Sequence, residues 1–127
     1  MNREVIFLVV AAVGLVPIAL GYGLSPVDSM SMLFSIDAST VNASHIFRAV
    51  MGLYLALVIF WLFGALRTSL RLPALWSLTV FMFGLAAGRA LSLLLDGMPH
   101  PLLSIYLLLE LGFGTTGAYL IRNRLSN

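Results

Sequence analysis

The chain has no cysteine and no lysine, and it contains few charged residues of any kind. The absence of cysteine excludes disulfides, thiol nucleophiles and thiolate metal sites. Charged residues make up 9% of the 127 residues and hydrophobic residues 61%, which lies far outside the averages for soluble globular domains. Too few polar residues remain to cover a surface in water, whereas a bilayer accepts an apolar exterior. The composition therefore predicts an integral membrane protein.

The seven basic residues are all arginine, and they stand singly or in pairs along the chain. A nucleic-acid-binding surface needs a run of basic residues with interleaved aromatics to neutralise successive phosphates, and the sequence contains none. Nucleic acid is therefore not expected as a partner. Membrane lipids are expected, and a homo-oligomer or a larger membrane complex is possible.

Four apolar stretches are long enough to cross a hydrocarbon core of ~30 Å at ~1.5 Å per residue. We expect transmembrane helices over residues 5–24, 46–66, 72–95 and 102–121. This predicts an all-α fold, an integral membrane four-helix bundle, with residues 1–127 as its single domain. Trp61 and Trp76 flank the connection between the second and third spans, where interfacial aromatic anchors are common.

The arginines outside the spans predict the orientation. Arg3 precedes the first span, Arg67 and Arg71 lie between the second and third, and two more follow the fourth, Arg122 and Arg124. The other two connections contain no lysine or arginine. The positive-inside rule therefore places both termini and the middle connection in the cytoplasm, as in a multi-pass protein of the cell inner (cytoplasmic) membrane.

The connection after the first span carries the signal for a short helix. Ser25 is a suitable N-cap, Pro26 fits the first turn, and Asp28 is the acidic capping partner. The apolar positions of this segment follow at helical spacing: Met30, Leu33 and Phe34. We expect a short interfacial helix that rests on the membrane surface or lids the bundle.

Three charged residues lie inside the predicted spans: Arg48, Arg89 and Glu110. A charge at the centre of a spanning helix costs ~2.5–3.5 kcal/mol on insertion scales, so such residues normally face the bundle interior and pair. Counted from the outer ends of the spans, their depths are about 5, 10 and 13 Å, all in the outer half of the bilayer. Arg89 and Glu110 match best in depth and are the expected direct pair. Arg48 is then left for Asp96, His45 or an anionic group from outside the chain.

Helical spacing extends these charges into polar stripes, which we expect to converge on one outward-opening pocket. The candidate site consists of the charge cluster and its polar neighbours: Arg48, Arg89, Glu110, Asp96, His45, Tyr106 and Ser92. Two interpretations stay open at this point. The cluster is a structural latch that fixes helix register, or a binding site for an anionic lipid or small-molecule headgroup, and the two roles can coexist.

Glycines indicate close helix packing in the third and fourth spans. Gly84 and Gly88 form a G-x-x-x-G motif, and Gly114 and Gly117 lie on the fourth span. We expect the G-x-x-x-G face to contact another helix of the same chain, with a second subunit as the alternative. The string G-F-G-T-T-G at residues 112–117 matches a dinucleotide fingerprint, but a mid-membrane helix lacks the strand-to-helix turn which that motif needs. No cofactor is expected.

No catalytic constellation is recognisable in the sequence, so a non-enzymatic role is favoured over an enzyme that modifies lipids or quinones. His45, His100 and Asp96 lie near the outer surface, but their spacing matches no metal-ligand motif, and no metal is predicted. A small proton-coupled transporter is the alternative, acting as a dimer with Glu110 as the coupling carboxylate. The nearby arginines count against it, because they hold the glutamate ionised and occupied.

Three segments resemble a known family of small bacterial membrane proteins. They read F-R-A-V-M-G-L-Y-L-A-L (47–57), G-R-A-L-S-L-L-L-D-G-M-P-H-P (88–101) and Y-L-L-L-E-L (106–111). In these segments the chain resembles the domain-of-unknown-function family 4345, and the resemblance spans nearly its whole length. It implies a four-helix inner-membrane protein and no particular reaction. It also makes Arg48, Arg89, Asp96 and Glu110 the signature positions.

Overall fold

A computed structural model describes residues 2–127, which form five α-helices and no β-strand. The helices are α1 (Arg3–Gly23), α2 (Pro26–Phe34), α3 (Val41–Leu66), α4 (Thr68–Leu95) and α5 (Pro101–Ser126). All except α2 are long and apolar enough to cross a membrane. The predicted all-α fold with four candidate spans is confirmed. Helices α3, α4 and α5 extend several residues past the predicted spans, because helical hydrogen bonding continues into the polar ends.

The long helices form a bundle in which α4 lies between α3 and α5. Helix α1 packs along α3, and it touches α5 only slightly. The fully buried side chains Leu8, Trp61 and Leu78 come from α1, α3 and α4, so the densest part of the core lies among these three helices. Helix α5 is therefore attached mainly through α4.

Helix α2 lids one end of the bundle. The short helix predicted for this connection is confirmed, and its position at a membrane surface stays a prediction. Met30 is fully buried, and Phe34 packs against Tyr22 of α1 and Tyr106 of α5. The Phe34 ring centroid lies 5.8 Å from that of Tyr22 and 6.0 Å from that of Tyr106. Because one ring contacts both neighbours, α2 bridges α1 and α5 where those two helices do not meet.

The start of α2 differs in detail from the expected capping box. Ser25 is the N-cap residue and Pro26 opens the first turn, but the Ser25 side chain accepts no backbone N–H. Its hydroxyl donates instead to the Asp28 carboxylate at 3.2 Å. The helix ends at Ser35, whose φ of 59° is left-handed, and the Ile36 amide donates back to the Met30 carbonyl at 3.0 Å.

Arg67 alone connects α3 to α4. The two helices approach closely at Gly64, where an added Cβ would overlap the Cβ of Ala74. Arg71 donates from Nε to the Gly64 carbonyl at 3.1 Å and from Nη2 to the Ala65 carbonyl at 2.8 Å. The last carbonyls of a helix have no partners within it, so these bonds cap α3. An arginine used to predict orientation therefore also stabilises the connection.

Trp61 is not the interfacial anchor that its sequence position suggests. It is fully buried between α3 and α4, its indole Nε1 donates to Ser77 Oγ at 3.1 Å, and its ring meets Phe81 edge-on at 5.7 Å. The prediction was wrong because depth along a helix does not determine which face a side chain occupies. Trp76 is 49% exposed, as an anchor would be.

Both chain ends lie at the same end of the bundle as the α3–α4 connection. Arg124 Nη1 lies 2.9 Å from Glu4 Oε1, which joins the end of α5 to the start of α1. Leu8 of α1 reaches Gly64 near the end of α3. The structure thus gathers at one end the arginines outside the predicted spans: Arg3, Arg67, Arg71, Arg122 and Arg124.

Candidate functional site

Arg89 of α4 and Glu110 of α5 form an ion pair, as expected from their depths. Arg89 Nε donates to Glu110 Oε1 at 2.6 Å and to Oε2 at 3.0 Å. The Arg89 side chain is 22% exposed and that of Glu110 is 7% exposed. Both hydrogen bonds to Glu110 come from Nε, so Glu110 uses none of the four N–H donors on the two Nη groups. The Tyr22 hydroxyl also lies beside the Arg89 guanidinium.

The close approach of α4 and α5 brings the pair together. At Gly114 an added Cβ would lie 2.9 Å from the Phe83 ring, and at Gly117 it would overlap Thr79 Oγ1. These two glycines lie about one and two turns along α5 from Glu110, on the same face, because residues three and four apart stack on a helix. The helix contact that they allow places Glu110 against Arg89.

The pair lies in the wall of a cavity between α1, α4 and α5 that has a volume of about 200 Å³. The rest of the wall is mostly apolar and includes Val10, Gly14, Leu109 and Phe113, together with the rings of Tyr54 and Tyr106. The Arg89 guanidinium carbon lies 5.8 Å from the centroid of the Tyr106 ring, within the range of a cation–π contact. The site is thus an apolar chamber with one charged pair in its wall.

An aromatic series that the sequence reasoning missed runs from this chamber into the bundle. Tyr54 lines the chamber, meets Phe81 edge-on at 5.1 Å and contacts Tyr22 at 5.7 Å. Tyr22 also stacks on Phe47 at 6.2 Å. The tyrosines within the predicted spans could have indicated this series, because a tyrosine hydroxyl within a span needs a polar partner or a cavity.

Arg48 and His45 lie outside the chamber, so the expectation of one shared pocket is wrong for both. They are exposed and line a separate groove with Ser39, Thr40 and Ser44. The inner face of α3 carries Phe47 and then Tyr54, seven residues on, and Arg48 is turned about 100° away from that face. The backbones of α3 and α5 also do not approach each other closely among the described residues, and Glu110 pairs with Arg89 and not with Arg48.

Asp96 and Ser92 pair with each other at the C-terminal end of α4. Ser92 Oγ donates to Asp96 Oδ2 at 2.6 Å, and both residues are exposed. Ser92 lines a second cavity, of about 100 Å³, between α4 and α5, and Arg89 borders this cavity as well as the chamber. His100 caps α5, because its Nδ1 accepts the Leu102 amide at 3.2 Å.

Gly84 and Gly88 do not form the internal helix contact that the G-x-x-x-G motif predicts. Both are exposed, and a Cβ added at either would meet no atom within 4 Å. The close approaches of this chain lie elsewhere, at Gly64, Gly114 and Gly117 and at Gly23 of α1, where an added Cβ would overlap that of Met51. The motif marks a face on which close packing is possible, but it does not specify a partner.

The fold and the site define a class: a membrane protein of four candidate spanning helices, with a lidding helix and a buried ion pair beside an apolar chamber. The chain belongs to the family described as Domain of unknown function (DUF4345), whose model matches residues 4–121. The match includes both residues of the ion pair. No curated protein and no solved structure matches the chain. The family description assigns no activity.

Proposed function

We propose that this protein is a multi-pass protein of a bacterial inner membrane that binds an amphiphile in the chamber between α1, α4 and α5. The head of the ligand lies against Arg89 and Glu110, and its apolar part lies along the α1 and α5 walls. The observation that supports this most is the position of the ion pair, in the wall of a mostly apolar cavity, with the Nη groups of Arg89 not engaged by Glu110.

The donors that Glu110 does not use favour binding over a purely structural role. A guanidinium presents its donors as a planar fork suited to oxygen atoms, and Glu110 engages only the Nε donor of this fork. A pair that served only as a latch would be satisfied by dense packing around it, with no need of an adjoining cavity. A ligand oxygen at the Nη groups would accept from donors that Glu110 does not use.

The same pair also acts as a latch between α4 and α5 in this proposal. Helix α5 is held mainly through α4, and the pair lies toward the outer end of that contact, opposite the end fixed by Gly117 and Thr79. Removing either charge leaves the other uncompensated in a low-dielectric surrounding. Binding and fold stability therefore share one contact.

A proton-coupled transporter that uses Glu110 in a dimer is the less well supported alternative. Both carboxylate oxygens of Glu110 lie within hydrogen-bond distance of Arg89 Nε. Exchange of a proton for a cation requires the carboxylate to be released in each cycle, and the charge-assisted contact with Arg89 opposes that release. Binding without transport fits the geometry better.

The distribution of arginine supports a cytoplasmic location for both termini. Five of the seven basic residues gather at the end of the bundle that holds the termini and the α3–α4 connection. The positive-inside rule assigns such an end to the cytoplasm. In this orientation α2 lies on the extracytoplasmic side, at the membrane surface, and the chamber lies in the outer half of the bilayer.

Photolabelling of the full chain in bilayer nanodiscs tests the binding proposal. The probe is a long-chain alcohol that carries a mid-chain diazirine, and labelled peptides are mapped by mass spectrometry. We expect labels on the chamber walls, and about tenfold less labelling there in Arg89→Gln, a loss equal to about 1.4 kcal/mol. Arg124→Gln, which breaks the ion pair at the other end, should label like the natural chain.

Arg89→Lys separates binding from folding. It retains a charge for Glu110 and hence the latch, but it lacks the planar fork. We expect it to keep the thermal stability better than Arg89→Gln and still to lose labelling. Labels spread evenly over the lipid-facing surface, unchanged in both variants, would overturn the proposal.

A further inference from the structure

We infer that the ligand of the chamber is a neutral amphiphile with one ring or one chain, and that it arrives sideways from the bilayer through a window between α1 and α5. This inference rests on the proposed function, because it specifies the ligand class and the route for the same chamber. The window, the volume of the chamber and its charge balance each support it.

The window is framed by contacts at both ends of the α1–α5 gap. At one end the Arg124–Glu4 ion pair and the Phe7–Phe113 ring contact, with centroids 5.7 Å apart, hold the two helices together. At the other end Phe34 of α2 bridges the gap. Between these two closures α1 and α5 have little contact.

Residues that line the chamber are exposed in this gap. Val10 of α1 is 52% exposed and Leu109 of α5 is 46% exposed. Gly14 lies one turn from Val10, is also exposed, and an added Cβ there would meet no atom within 4 Å. All three face the acyl chains when α1 and α5 span a bilayer. The chamber is therefore open to lipid at the level of Gly14.

The volume of the chamber limits the ligand to a small apolar group. Its volume is about 200 Å³. Pockets for drug-sized ligands measure ~300–1,000 Å³, whereas an engineered cavity of about 150 Å³ in another protein takes up benzene. One ring or a short length of one chain fits, and the two chains of a phospholipid do not. The rest of a longer chain would leave through the window.

The charge balance of the wall favours a neutral head over the anionic head expected from the sequence. Arg89 and Glu110 neutralise each other, and the second arginine of the expected cluster, Arg48, lies in a different groove. A carboxylate or phosphate beside the pair would add an uncompensated negative charge in an apolar surrounding. A hydroxyl, carbonyl or amide oxygen can accept from the Nη groups without that cost.

The alternative route to the chamber leads through the cavity of about 100 Å³ at the outer end of α4 and α5. Ser92 and Ser104 line it, and Arg89 separates it from the chamber. That route suits a water-soluble molecule. The window suits a molecule already dissolved in the bilayer. The apolar walls of the chamber fit such a molecule better than a water-soluble one.

Two glycines provide a matched test of the route. Gly14→Leu fills the window, whereas Gly84→Leu adds the same side chain to an exposed glycine of α4 that does not line the chamber. Ser104→Phe blocks the outer cavity. The full chain in nanodiscs is photolabelled with the diazirine alcohol and with the matching long-chain carboxylate at about pH 9, where the free acid is ionised.

We expect Gly14→Leu to lower chamber labelling by the alcohol about tenfold, and Gly84→Leu and Ser104→Phe to leave it unchanged. The carboxylate should label the chamber several-fold less than the alcohol. Unchanged labelling of Gly14→Leu, loss of labelling in Ser104→Phe, or stronger labelling by the carboxylate would each overturn this inference while leaving the proposed function intact. Absence of chamber labelling in the natural chain would instead overturn the proposed function.

Discussion

Arg89 shows how one residue can serve both the fold and a ligand. Its Nε donor is used by Glu110, while its other four N–H donors are not used by Glu110. Lysine would place its three N–H donors on one nitrogen and lacks the planar fork that presents separate donors to Glu110 and to a second oxygen. Arginine at this position therefore favours a ligand-binding role.

The Arg89–Glu110 pair should contribute measurably to stability. We expect Glu110→Gln to lower the free energy of unfolding by about 2 kcal/mol, below the ~3–5 kcal/mol of fully buried pairs because the Arg89 side chain is partly exposed. Thermal unfolding in detergent of the two single variants and of Arg89→Gln/Glu110→Gln gives the coupling energy. The double variant should lose less than the sum of the singles, and strict additivity would show that the pair is not coupled.

Gly117 should be the glycine least tolerant of a side chain on α5. Gly117→Ala places a methyl on Thr79 Oγ1, which is buried and donates to the Leu75 carbonyl at 2.8 Å. Overpacking of this kind costs ~1–3 kcal/mol. Gly112→Ala is the matched control on the same helix, because nothing lies within 4 Å of its added Cβ.

Gly112→Ala should instead gain up to ~1 kcal/mol, since alanine favours the helix. Equal melting temperatures for the two variants would contradict the close approach of α4 and α5. The comparison needs no knowledge of the ligand, because it tests only the contact that positions Glu110.

At the scale of an element, α2 closes one end of the gap between α1 and α5. It is short, yet Met30 and Phe34 are buried because they fill the gap that α1 and α5 leave at this end. Its apolar spacing could be read from the sequence, and the helix was predicted. What the spacing could not show is that one ring, Phe34, would bridge two spanning helices.

The end of α2 offers a direct test of its fold. Ser35 adopts a left-handed φ of 59°, which costs a non-glycine residue ~1–2 kcal/mol. We expect Ser35→Gly to stabilise α2 by up to ~1 kcal/mol. Hydrogen exchange of the α2 amides measures this locally. Ser31→Gly, inside the same helix, should have the opposite sign, and faster exchange in both variants would show that α2 does not end at Ser35.

Helix α4 shows that the packing partner of a helix face cannot be predicted from that helix alone. A G-x-x-x-G motif specifies a face without bulk, and helix spacing specifies that its members share that face. Which neighbour occupies the face depends on how all five helices are arranged. In this chain the arrangement leaves Gly84 and Gly88 open and places the close contacts at Gly64 and Gly117.

At the scale of the whole molecule, the absence of cysteine makes orientation simple to measure. Single substitutions Ser39→Cys, beside α3, and Ser69→Cys, at the start of α4, introduce unique thiols at opposite ends of the bundle. With a membrane-impermeant maleimide we expect Ser39→Cys to react in intact cells. Ser69→Cys should react only after permeabilisation. The reverse pattern would contradict the orientation inferred from arginine.

The sequence by itself determined the number of candidate spans, the lidding helix and the match between Arg89 and Glu110. These follow from hydrophobic length, helical spacing and depth, all of which are properties of one helix at a time. Tertiary structure alone decided that Arg48 lies apart from the pair, that Trp61 is buried and that a chamber opens beside Gly14. Those features depend on the rotation of each helix and on its neighbours, and apolar helices in lipid have many nearly equivalent rotations until specific side chains interlock.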